Sequence, residues 1–130
     1  MPRGLRLSSI ITGPVQTVAP GATLAEAARK MASQDTGSLP VCAERRKVVG
    51  IITDRDITVR AVARGLDPNQ TRVQEVMTRE VLSCRADSEL EDACELMEQR
   101  QVRRLLVTDG KDEPIGIVSL GDMALRLRRR

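Results

Sequence analysis

Gly50-Ile51-Ile52-Thr53-Asp54-Arg55-Asp56-Ile57 returns 66 residues later as Gly116-Ile117-Val118-Ser119-Leu120-Gly121-Asp122-Met123. The same gap-free offset pairs Thr12 with Thr78, Val15 with Val81, Leu24 with Leu90 and Ala27 with Ala93. It also pairs Met31 with Met97, Leu39 with Leu105 and Val41 with Val107. Between residues 9–57 and 75–123, 10 of 49 positions are identical, and they fall mainly on apolar and glycine sites. Exchanges such as Thr53/Ser119 and Glu26/Asp92 keep the chemistry. Self-similarity at one fixed period means one supersecondary unit used twice.

Working outward from the two octapeptides, each unit has the same grammar. A short extended segment (Val15–Val18; Val81–Cys84) leads to a helix. Thr23-Leu24-Ala25-Glu26 and Ser88-Glu89-Leu90-Glu91 both have the capping-box pattern that opens a helix, out of register with each other by one residue. Leu24, Ala27, Ala28 and Met31, and likewise Leu90, Ala93, Cys94 and Met97, are spaced to line one helical face. Two strands follow, Leu39–Ala43 with Val48–Thr53, and Arg104–Thr108 with Ile115–Ser119, each pair joined by a polar turn. A second helix over 54–64 and 120–128 closes each unit, with Gly65 and Pro68 stopping the first. The fold class expected is α+β: two repeats, each strand-helix-strand-strand-helix, packed sheet to sheet about a pseudo-two-fold axis. Repeat 1 spans 9–65, a linker 66–74, and repeat 2 75–127. A unit of about 50 residues with no metal or disulfide buries too little to be stable alone, so the two repeats should form one module. Ile57, Ala61, Met123 and Leu127 are apolar beyond the need of one sheet face and are expected to pair helices in a homodimer.

Composition narrows the function. The chain contains no Phe, Trp, Tyr or His. A planar ligand must therefore be held by aliphatic walls and polar groups, and the usual neutral-pH general base is absent. With no nucleophile motif, metal constellation or P-loop, no enzyme is expected. The net charge of +3 is concentrated near Arg3 and Arg6, at Arg45-Arg46-Lys47, and in the tail at Arg126 and Arg128–Arg130. Solvated ends, and cations at the C-terminus of a last helix, account for these charges. Neither a nucleic-acid nor a membrane partner is expected. Cys42, Cys84 and Cys94 form no CxxC pair, and Cys94 lies on an apolar helical face as core filler. Leu7–Val18 is too short to span a membrane and is broken by Gly13-Pro14, so a reduced cytoplasmic location is expected.

The repeated Gly-apolar-apolar-[Thr/Ser]-x-x-Asp carries the chemistry. Its hydroxyl falls where helix N–H groups converge, which suits a phosphate. Its Asp, one turn later, can accept from two vicinal hydroxyls, as on a ribose. A purely local reading stands beside this one: the hydroxyls cap helices and the carboxylates favour the helix dipole.

The doubled motif, with Gly37-Ser38-Leu39-Pro40-Val41 and Val102-Arg103-Arg104-Leu105-Leu106-Val107, resembles the tandem cystathionine β-synthase (CBS) domain pair, or Bateman module, over residues 9–127. It is most similar to small free-standing bacterial pairs, including hypoxic-response types. The resemblance implies a non-catalytic regulatory module with no resident cofactor, binding AMP, ATP or a related adenosyl compound between repeats. It would signal to an unidentified partner in trans. Carried over by position, one nucleotide site uses Thr53, Asp56, Val81, Leu82, Val102, Arg103 and Arg104; the other uses Ser119, Asp122, Val15, Thr36, Gly37 and Ser38. Arg103 and Arg104 would meet phosphate, whereas the matching Gly37 and Ser38 carry no charge. Leu106 stands where the family usually has Pro, and Thr17 stands near where a disulfide partner of Cys42 would be. The alternative is an interaction, scaffold or stress-response protein with vestigial pockets.

Overall fold

The computed structural model describes residues 4–11 and 15–123. Expectations placed on Thr12, on 124–128 of the last helix, on Leu127 and on the arginine tail fall outside these residues. The chain forms two compact units, one of Gln16–Val81 and one joining the stretch up to Val15 with the stretch from Leu82 onward.

In the unit of Gln16–Val81, Thr23 opens helix α1 (Leu24–Gln34) with a complete capping box. The Glu26 amide donates to Thr23 Oγ1 (3.2 Å) and the Thr23 amide to Glu26 Oε2 (3.0 Å). The helix ends on Asp35 in the left-handed region (φ 51°). Strands β1 (Ser38–Cys42) and β2 (Val48–Thr53) pair antiparallel, with a bulge between Val41 and Cys42. Val18 adds a single parallel bridge to Val41. The expected second helix is present, but over Asp56–Val62 it is a π-helix; the Ala63 amide, for example, donates to the Thr58 carbonyl. Gly65 stops it at φ +74°. A short helix α2 (Val73–Val76) follows.

The other unit repeats the plan. Strand β3 (Ser83–Arg85) runs parallel to β4 (Arg104–Thr108), which pairs antiparallel with β5 (Pro114–Ser119). Its bulge, between Val107 and Thr108, is at the position matching the first. Helix α3 (Leu90–Arg100) begins one residue later than the Ser88 capping pattern predicts. Its N-cap is Glu89, which matches Thr23 at the offset of 66, and no side chain caps it. The reason is tertiary: the Leu90 amide donates to the Leu5 carbonyl (2.9 Å) and the Ser88 carbonyl accepts from Leu7 (3.0 Å).

Each unit has its own core, and the cores correspond residue by residue. Leu24, Ala27, Met31, Leu39, Val41 and Ile52 form one; Leu90, Ala93, Met97, Leu105, Val107 and Val118 form the other. What closes each core is the segment that leads into the other repeat. Val73, Val76 and Met77, beyond the first repeat's expected end, are buried in the unit of Gln16–Val81. Leu7, with Leu5, Ile10 and Ile11 around it, fills the matching place in the second unit. The backbone bonds match too: Leu24 N–H to Thr71 O (3.0 Å) corresponds to Leu90 N–H to Leu5 O (2.9 Å). Compact units therefore do not follow the sequence repeats, and much of the expected linker 66–74 is structural.

The helix faces expected to pair copies of the chain belong instead to these interiors. Ala61 is 1% exposed, Met123 is 0% exposed, and Ile57 packs against the first core. Burial by the unit's own sheet takes up these side chains. The exposed large apolar residues of the described chain are Val59, Val62 and Leu66.

Because Leu7 is fully buried, Leu7→Ala should cost about 2–5 kcal/mol of stability, the range for emptying a core leucine site. Val59→Ala, at an exposed site, should stay within about 0.5 kcal/mol. Equilibrium urea unfolding measures both; a near-neutral Leu7→Ala would mean that the lead-in segment closes no core.

Candidate functional site

Both motif turns have the same local geometry. Thr53 ends β2; its hydroxyl accepts from the Asp56 amide (3.0 Å), and Asp56 Oδ2 accepts from the Thr53 amide (3.1 Å). Ser119 Oγ likewise accepts from the Asp122 amide (3.0 Å), and Asp122 Oδ2 from the Ser119 amide (3.4 Å). The hydroxyl and carboxylate thus close a reciprocal box over the start of the following helix.

The glycine heading each motif makes room for the lead-in segment. A Cβ on Gly50 would lie 2.7 Å from the Thr78 carbonyl oxygen and 2.9 Å from Met77 Sδ. On Gly116 it would meet Ile11 Cγ2 at 3.2 Å. Thr78 pairs with Ile51 through two 2.9 Å backbone bonds. That pairing brings the Thr78 hydroxyl to Asp56, to which it donates at 3.2 and 3.3 Å. Arg60 lies over the same group, Nε 3.8 Å from Asp56 Oδ1, and donates to the carbonyls of Val76 and Met77 at 3.4 Å. Sequence reading did not place Thr78 in the site; its signal was identity with Thr12 in an otherwise variable lead-in.

The two carboxylates therefore differ. Asp56 is 7% exposed and already accepts from Thr53 and Thr78, so a ribose there would compete with built-in donors. Asp122 is exposed. It is the more accessible acceptor for a sugar.

Around each turn the strand approach is fixed by backbone bonds. The Thr36 amide donates to Met31 O (3.0 Å) and the Asp54 amide to Gly37 O (2.9 Å), while Ser38 pairs with Thr53. Thr36, Gly37, Ser38, Thr53 and Asp56 thus share one unit. An open cleft of about 470 Å³ lies here, lined by Met31, Asp35, Thr36, Gly37, Asp54 and Ile57 among others. Its size falls within the range of small-molecule pockets, about 300–1,000 Å³. A Cβ on Gly37 would sit 2.7 Å from Asp54 Oδ2, so the carboxylate leans into the space the glycine leaves. Sequence reading passed over Asp35 and Asp54.

The second unit holds Val102, Arg103, Arg104, Ser119 and Asp122 on the same frame. The Val102 amide donates to Met97 O (3.0 Å), the Leu120 amide to Arg103 O (2.8 Å), and Arg104 pairs with Ser119. Leu82 accepts from the Leu106 amide (2.9 Å) and packs on the core. Val15 belongs to this unit and Val81 to the other, both half-buried. Each of the two residue sets drawn from the sequence takes members from both units.

Burial raises the thiol pKa of Cys42, Cys84 and Cys94; Arg46 opposes this at Cys42, and Glu98 and Glu91 add to it at Cys94. Cys94 is core filler, its Sγ 3.9 Å from Met123 Sδ. Among the described residues no group of three or more His, Cys, Asp or Glu is placed to hold a metal ion. No helix of the described residues is long and apolar enough to cross a membrane.

Comparison with known proteins gives the architecture its family. The CBS domain model matches residues 7–62 and again 73–129. The chain belongs to the CBS domain family. CBS domain-containing protein YhcV of Bacillus subtilis is 44% identical over 115 residues, covering 88% of this chain and 80% of YhcV. Hypoxic response protein 1 of Mycobacterium tuberculosis is 34% identical over 118 residues, covering 91% of this chain and 82% of that protein. The CBS domain pair of protein MJ0100, solved in complex with 5-methylthioadenosine and S-adenosyl-L-methionine, superposes with a TM-score of 0.82 at 27% identity, covering 98% of each chain. A hexameric CBS-CP12 protein from bloom-forming cyanobacteria gives a TM-score of 0.84 at 30% identity, covering 97% of this chain and 74% of that one.

The CBS turns make a stability prediction that separates the two carboxylates. Asp56→Ala leaves the Thr53 amide and the Thr78 hydroxyl without their acceptor and should cost about 1–3 kcal/mol. Asp122→Ala, at an exposed cap, should cost well under half as much. Thermal denaturation of the two variants beside the parent checks the order; equal losses would contradict the buried role of Asp56.

Proposed function

We propose that this CBS pair is a non-catalytic regulatory module that binds an adenine nucleotide or related adenosyl compound and acts on a partner protein in trans. The observation that carries the reading is the duplicated turn. In both repeats a hydroxyl and a carboxylate are fixed at a helix start, beside the backbone frame that in the first repeat borders a ligand-sized cleft. The adenosyl compounds bound by the MJ0100 pair supply the chemical class.

In this reading Arg103 and Arg104 meet phosphate in the set of Thr53, Asp56, Val81, Leu82 and Val102, while Ser119 and Asp122 meet ribose in the set of Val15, Thr36, Gly37 and Ser38. An AMP- or ATP-type ligand suits the guanidinium pair. Regulation needs a contact surface, and the exposed Val59, Val62 and Leu66 along one helix and its end favour self-association. We read the chain as a homodimer, cytoplasmic in location.

Calorimetric titration of the whole chain with adenosine, AMP and ATP tests the reading. AMP is expected to bind more tightly than adenosine. Arg104→Ala should weaken AMP by about 1.5–3 kcal/mol, the scale of a hydrogen bond to a charged group, and leave adenosine almost unchanged. Asp122→Ala should weaken adenosine, whose ribose its set takes. If none of the three ligands binds, the nucleotide reading fails and the scaffold alternative takes its place.

A further inference from the structure

The two repeats hold one backbone frame and opposite charges. Helix α1 ends on Asp35 at φ 51°, and α3 ends on Gln101 at φ 54°. Asp54 N–H bonds Gly37 O at 2.9 Å, and Leu120 N–H bonds Arg103 O at 2.8 Å. At these matched places repeat 1 presents Asp35, Asp54, Gly37 and Ser38, where repeat 2 presents Gln101, Leu120, Arg103 and Arg104. Identical geometry leaves the side chains alone to set the difference. Repeat 1 carries two negative charges at these four positions and repeat 2 carries two positive ones.

The cleft of repeat 1 reinforces its sign. It lies at the end of α1, where the helix carbonyls add negative potential. Asp35 and Asp54 line it, and Asp54 Oδ2 occupies the room that Gly37 leaves. Its other walls, Met31, Ile57, Ala28 and Ala32, are apolar, with Thr36 and Thr58 as neutral polar groups. Such a wall suits a nucleoside and repels a phosphate.

Resting on the adenosyl-binding reading above, we infer that the repeat 1 cleft selects adenosyl compounds that lack phosphate, neutral nucleosides or those bearing a sulfonium or amine. The arginine frame of repeat 2 takes the phosphorylated ones. The module would then respond to the ratio of two adenosyl pools rather than to the level of one nucleotide.

The test is calorimetric titration of the full chain and of an Asp35→Asn, Asp54→Asn double variant with adenosine, AMP and S-adenosyl-L-methionine. Both positions are exposed, so the isosteric amides should leave the melting temperature unchanged. In the double variant, S-adenosyl-L-methionine should bind about tenfold more weakly and AMP about tenfold more tightly at the weaker of two sites, with adenosine within about twofold. Adenosine binding with no response of the charged ligands to the double variant overturns the charge selection while leaving the function reading intact. Absence of binding by all three overturns both.

Discussion

A backbone can pass close over a sheet only where no side chain stands in its way. Gly50 provides that gap for Met77 and Thr78, and Gly116 provides a similar one for Ile11. The paired amides of Ile51 and Thr78 lock the crossing, which sets the Thr78 hydroxyl under Asp56. Asp56, held there, accepts from the Thr53 amide, and the Thr53 hydroxyl in turn accepts from the Asp56 amide at the start of the π-helix. One absent Cβ thus fixes a turn several residues away. A side chain at Gly50 would have to displace main chain, which is far costlier than turning a rotamer.

The same constraint explains what could be read from the sequence. Strands and helices were legible because short apolar runs between polar turns and helical spacing are local, and the offset of 66 showed them twice over. The core positions Leu24, Met31, Leu39 and Val41 were legible for the same reason. The closing segments were not. Leu7-Ser8-Ser9-Ile10 has no period to betray burial, and its partner Leu90 lies more than 80 residues along the chain. The start of α3 was misplaced because the Leu5 carbonyl takes the Leu90 amide, so a side-chain pattern at Ser88 had nothing left to decide. Ala61 and Met123 read as surplus because their own unit's burial cannot be counted from a helix alone.

At the site, residue types were legible and their environments were not. Asp56 and Asp122 stand at the same motif position, and only the neighbours Thr78 and Arg60 make the first a buried structural carboxylate. Arg103 and Arg104 stood out by charge against Gly37 and Ser38. Asp35 and Asp54 escaped notice because each also has an ordinary local role: one ends a helix in the left-handed region, and the other accepts from the Arg55 amide. Shared geometry with divergent side chains is what a duplicated fold offers to selection, since each copy can change charge without disturbing the backbone bonds that hold it.

The exchange of closing segments sets an order on biosynthesis. The Gln16–Val81 unit is one continuous stretch of chain and can close without any residue from Leu82 onward. Leu5, Leu7, Ile10 and Ile11 precede that stretch, yet their partners on α3, β4 and β5 follow it. During translation this short apolar stretch trails from a finished unit with nowhere to dock, and its closure spans most of the chain. This lead-in must thus wait for the second unit before it can fold, and any nascent-chain binding factor would find it exposed.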